Sequence, residues 1–174
     1  MQQAGAIVLV ERGLLRASGS GTASDAAPPL QLALQLPLCA DQRSSLRGLR
    51  RSACGQDLLL QLPRGAALRP GELLGSSAGD VVVEVVAAPE PVMAVRSASP
   101  LALLQAAYHL GNRHVAMELH ADRLVLLQDS VLAELLRQRG LQVELLNAAF
   151  LPEAGAYEGI RHAHGHAHAH SHDH

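Results

Sequence analysis

The chain has 174 residues, about one large domain or two small ones. Hydrophobic residues make up 48 %, enough for a core, but aromatic residues make up only 2 %, which argues against a protein that stacks nucleobases on rings. The 14 basic residues are all Arg and face 16 acidic ones, so a net charge of -2 offers no basic field to nucleic acid, and no run of ~18 apolar residues marks a membrane helix.

Ile7-Val8-Leu9-Val10 reads as a strand, and no basic residue precedes it to make a secretory leader. The small and polar stretch from Ala17 to Pro29 reads as a loop. Leu30 to Leu36 alternates Leu with Gln and Ala, the period of a half-buried strand. Asp57 to Leu62 is a further strand, closed by Pro63, and Pro63-Arg64-Gly65 and Pro70-Gly71-Glu72 are turns. Val81–Ala87 and Val92–Val95 are β-branched and strand-like. From Pro100 the period becomes helical, with Leu103, Leu104, Ala107 and Leu110 on one face, Ser99 as cap and Gly111 as the left-handed residue that ends the helix. Val115 to Leu119 alternates as a strand, and Arg123–Leu127 follows in hairpin spacing. Asp129 caps a second helix with Val131, Leu132, Leu135 and Leu136 on one face, and Gly140 ends it. Leu141 to Leu146 returns as a strand.

The expected class is therefore α+β, in three parts. A small all-β module spans 1–79, a ferredoxin-like domain of βαββαβ order spans 80–151, and a disordered His-rich tail spans 152–174. Cys39 and Cys54 alone make no disulfide framework, which suits two free thiols in a reducing, cytoplasmic setting.

Histidine carries the chemistry. Seven of the ten His, namely His162, His164, His166, His168, His170, His172 and His174, alternate with small or polar residues in the last thirteen positions. Neutral imidazole is the commonest metal ligand and suits Ni2+, Cu2+ and Zn2+, so the tail reads as a metal collector. Interruption by Ala, Gly, Ser and Asp sets it apart from an unbroken purification tag. The period of a strand puts His114, Glu118 and His120 on one face. A single His114 makes no tight site, but a two-fold dimer pairs two copies of it. His109, beside Tyr108 and Leu110, is expected to be packed and hydrogen-bonded, and with His120 and Glu118 it forms the reserve of secondary ligands. No HExxH, GxSxG, Walker A or GxGxxG pattern occurs, so no catalytic role is expected.

The stretch Ala107-Tyr108-His109-Leu110-Gly111-Asn112-Arg113-His114-Val115 resembles the hallmark of the UreE family of urease accessory proteins. Leu62-Pro63-Arg64-Gly65 followed by Pro70-Gly71-Glu72-Leu73-Leu74, Ala88-Pro89-Glu90-Pro91-Val92, Asp129 with Val131-Leu132, and Phe150 to Tyr157 are similar to further landmarks of that family, in the same order. The resemblance implies a cytoplasmic homodimer with a peptide-binding-like β module and a ferredoxin-like metal-binding domain. It further implies that His114 of each subunit holds nickel at the dimer interface, that tail His residues add ligands, and that the metal passes to the urease apoprotein through an accessory GTPase. Several members carry His on both sides of the Asp that starts the second helix, where this chain has Gln128 and Ser130. From the residues alone, a general Ni, Cu or Zn buffer working through the tail is the competing reading.

Overall fold

The computed structural model describes residues 5–13 and 33–154; the tail histidines, His162 to His174, and the expected loop over 17–29 lie outside them. The first half forms β1 (Ile7–Arg12), β2 (Ala33–Leu38), the short helix α1 (Ala40–Ser44), β3 (Arg47–Arg51), β4 (Asp57–Gln61), β5 (Leu73–Ser76) and β6 (Val82–Ala87). These strands make one six-stranded sheet in the order β2-β6-β5-β1-β4-β3. Its core is aliphatic: Leu9, Leu36, Leu58, Leu60, Leu74, Val83 and Val85 are wholly buried. The outermost strands meet, because Ala53 N–H donates to Gln35 C=O at 2.8 Å, so the sheet curls toward closure.

The second half forms β7 (Pro89–Arg96), α2 (Pro100–Gly111), β8 (Met117–Leu119), β9 (Arg123–Leu127), α3 (Ser130–Gln138) and β10 (Gln142–Ala149). The order is strand, helix, strand, strand, helix, strand, in an antiparallel sheet arranged β10-β7-β9-β8. One face of this sheet, with Met93, Val95, Leu124 and Leu126, packs against Leu103, Ala106 and Leu110 of α2 and Ala133 and Leu136 of α3. The opposite face, with Val92 and Val125, buries Phe150 beside Ala40 of α1.

Arg43 of α1 ties the halves together. It is 4 % exposed, and its guanidinium donates to Leu38 C=O at 3.0 Å and to Phe150 C=O. Ala40 N–H reinforces the junction by donating to the Glu90 carboxylate at 2.7 Å.

Several expectations need correction. The strand expected over 81–87, in the domain expected from residue 80, is β6 (Val82–Ala87), and it pairs with β2 and β5 in the first sheet. The break between sheets thus falls after β6 rather than at 79/80. The first half also holds a helix, α1, besides its strands. The expected second strand, from Leu30, is described from Ala33 and runs to Leu38. On α2, Leu104 faces outward, because Leu103, Ala106 and Leu110 already fill the side toward the sheet. Val131 of α3 is likewise exposed, since Ala133 and Leu136 take the inward positions.

Candidate metal centre

The site begins at the C-terminal end of α2. Ser99 caps the helix start by accepting Ala102 N–H, and Pro100 occupies the first turn, where a missing N–H costs nothing. The end is built by two backbone bonds. Val115 N–H reaches Leu110 C=O at 3.1 Å, and His114 N–H reaches Gly111 C=O at 2.9 Å. This bond pair is the Schellman arrangement, whose residue past the last helical position adopts the left-handed conformation. That residue is His114, with φ of 57°, the one non-glycine with positive φ among the described residues. Gly111, expected to fill this role, has no positive φ and instead continues the helix. The turn ends where it does because Val115 packs against the core containing Leu110, which fixes the residue before it.

His114 is exposed and stands outside β8, which starts only at Met117. The expected shared face of His114, Glu118 and His120 therefore reduces to Glu118 and His120. Those two do meet: His120 Nε2 lies 2.8 Å from Glu118 Oε2. The other carboxylate oxygen, Oε1, accepts Leu151 N–H at 2.6 Å. Asp122 beside them is engaged elsewhere. A hydrogen bond from Arg96 outweighs desolvation and, with the charge of Arg123, holds its carboxyl below the ordinary range.

His109 is exposed rather than packed, and its ring meets Tyr108 edge-on with centroids 5.4 Å apart. It lines a cleft of about 150 Å³ between the ends of α2 and α3, together with Arg113, Leu136 and Arg139. Among the described residues, no three His, Cys, Asp or Glu side chains converge on one point suited to a metal ion. Also among them, no helix is long and apolar enough to cross a membrane. Cys39 and Cys54 are free thiols.

The outer face of α2 shows what sequence reasoning missed. Leu101, Leu104 and Tyr108 are 63 %, 68 % and 65 % exposed and follow one another at steps of three and four, which aligns them in one stripe ending near His114. The spacing carries this signal, and Leu104, expected on the buried face, belongs to the exposed stripe.

Residues 90–174 match the model of the UreE urease accessory protein C-terminal domain. The chain is 57 % identical over 132 residues to the urease accessory protein UreE of Parasynechococcus marenigrum (strain WH8102), a match covering 76 % of this chain and 88 % of that protein. It is 57 % identical over 130 residues to the urease accessory protein UreE of Synechococcus sp. (strain CC9311), covering 75 % and 84 %. The chain belongs to the UreE family. The protein of that name from Thermosynechococcus vestitus is 49 % identical over 124 residues, covering 71 % of this chain and 86 % of that one.

Within this UreE-family chain, the segment before α3 has a structural use. Gln128 Nε2 donates to Val92 C=O at 3.1 Å and to Leu146 C=O at 3.2 Å, which clamps β7 and β10 together. Asp129 then caps α3 by accepting Val131 N–H at 2.8 Å and Leu132 N–H at 2.9 Å.

Proposed function

We propose that this chain is a nickel-binding metallochaperone that supplies Ni2+ to the urease apoprotein during assembly of its metallocentre. It acts in the cytoplasm as a homodimer, carries metal rather than catalysing a reaction, and hands the ion over through an accessory GTPase. The observation that carries the reading is His114, an exposed imidazole held in a left-handed turn at the end of an apolar helix face. The relatives' shared designation as urease accessory proteins supports the client.

Docking of the Leu101, Leu104 and Tyr108 stripe onto its copy would remove three large apolar side chains from water. Two-fold symmetry along that stripe would also set two His114 rings against each other, giving nitrogen ligands of the kind Ni2+, Cu2+ and Zn2+ accept. The tail residues His162, His164, His166, His168, His170, His172 and His174 would gather the ion and complete its ligand set. The strand and helix order of 89–149 supports a ferredoxin-like metal-binding domain, with the β module before Ala88 as a surface for protein partners.

Urease activity in cells tests this reading. A strain carrying His114→Ala should show low urease activity when nickel is scarce, and excess nickel should restore it. Full urease activity at scarce nickel, with only metal tolerance reduced, would contradict delivery and favour a buffer.

A further inference from the structure

The cleft between the ends of α2 and α3 has a shape and a charge that the role proposed for His114 leaves unused. We propose that it docks an acidic segment of the protein that receives the ion, with one apolar side chain entering the cleft and a neighbouring carboxylate on Arg113 and Arg139. The partner's part as receiver rests on the delivery reading above; the cleft and its charge stand without it.

The floor of the cleft is apolar. Leu110 and Leu136 line it, and both belong to the core that joins the two helices to the sheet. The rim is polar and cationic, with Arg113, Arg139, Asn112 and His109 all exposed, and no carboxylate lines it. At about 150 Å³ the cleft is smaller than the roughly 300–1,000 Å³ of sites that enclose a small-molecule ligand. It therefore suits a single anchoring side chain rather than a nucleotide or an organic cofactor.

The two arginines are not needed to cap the helix ends. Leu110 C=O accepts Val115 N–H and Leu136 C=O accepts Leu141 N–H, each at 3.1 Å. Among the described residues neither guanidinium has a hydrogen bond or an ion pair. The helix dipoles offset part of the two charges, and the remainder calls for an anion from outside. A planar guanidinium matches a carboxylate, which it meets with two parallel hydrogen bonds. An apolar anchor beside opposite charge is also how a protein partner is held in register. The place fits a receiver, because Arg113 adjoins His114 in the chain. Leu101, Leu104 and Tyr108, the stripe proposed for the dimer, do not line the cleft, so the two surfaces share no residue.

The probe is an end-blocked peptide of alternating Asp and Leu, compared with its Asn and Leu counterpart and with acetate. Amide NMR of the full-length, metal-free chain reads where each one binds. The acidic peptide should shift the amides of Arg113, Leu136 and Arg139, and its affinity should fall about tenfold in the double variant Arg113→Gln with Arg139→Gln. No shift at the cleft at millimolar peptide, equal binding of the Asn peptide, or the same shifts from acetate alone would each overturn the docking site. Urease activity of cells at scarce nickel then reads the partner. The double variant should lower it. If it does not while His114→Ala does, the receiver is overturned and the delivery reading survives. If neither variant lowers it, both are overturned.

Discussion

The two helices of the second half end on the same backbone device with different residues at its critical position. At the end of α3, Leu141 N–H reaches Leu136 C=O at 3.1 Å and Gly140 N–H reaches Arg137 C=O at 2.9 Å, with Gly140 at φ of 77°. At the end of α2 the same pair of bonds closes around His114 at φ of 57°. Glycine enters the left-handed region freely, whereas a residue with a Cβ pays about 1–2 kcal/mol there. Both turns are anchored by the same core, through Leu141 and Leu136 on one side and Val115 and Leu110 on the other. The fold thus has the inexpensive solution available and uses it where nothing else is asked of the turn. At the end of α2, where the residue is His114, the turn carries the strain. Backbone strain held in place by surrounding packing is a mark of functional positions, and here it coincides with the motif histidine.

The largest expected effect leaves this contrast unchanged. Arg43→Ala, which strips donors from Leu38 and Phe150 carbonyls at the junction, should cost about 3 kcal/mol in denaturant unfolding. It should do so equally in backgrounds altered at either helix end; strong coupling to one of them would show that the junction itself sets that turn.

The next effect separates the two ends by chemistry. His114→Gly should weaken tight nickel binding about 100-fold or more, while Gly140→Ala should leave nickel affinity unchanged in calorimetric titration. Equal losses in both would mean that the turn matters and the imidazole does not.

Stability should then move in opposite directions. Gly140→Ala should destabilise by about 1–2 kcal/mol, and His114→Gly should stabilise by about 1 kcal/mol in the absence of metal. His114→Asn should fall between, because Asn tolerates the left-handed region better than most residues. A loss of stability in His114→Gly would break the comparison at its root.

The smallest effect is a control in the other half. Burial works against ionisation of Glu72, but the hydrogen bond from Arg12 at 2.8 Å and that from Arg69 N–H outweigh it, so its carboxyl sits below the ordinary value. A depressed carboxyl stabilises the fold above its unfolded pKa of about 4.3, and that contribution disappears as pH falls through the lower folded value. Glu72→Gln should therefore narrow the gap in stability between neutral and acidic pH without altering the difference between the two helix ends.

Much of the second half was legible because its signals are local. Ser99, Asp129 and Gly140 mark helix ends through their own side chains or their lack of one, and the structure uses all three that way. His114 at a left-handed position was not legible, because Gly111 three residues earlier offers the stronger local signal for the same role. What decides against Gly111 is tertiary: Val115 must reach the core. The membership of β6 was hidden for a similar reason, since its parallel pairing joins Val83 to Leu34 and Val85 to Leu36 across some fifty residues. Five-residue α1 has almost no period of its own, and it is fastened by Arg43 to a carbonyl 107 residues away. Spacing put His114, Glu118 and His120 on one face; the structure leaves His114 outside β8 and adds Leu151 and Glu153 beside Glu118.

In the proposed dimer, His114, presented by a strained turn and paired by symmetry, holds the transferable ion. Nickel calorimetry with light scattering on a full-length form whose seven tail histidines are replaced by Gln tests it most directly. The expected result is a dimer that binds one nickel tightly per two chains and loses that site on His114→Ala. A dimer with no tight nickel, or one that binds equally well after His114→Ala, would contradict it.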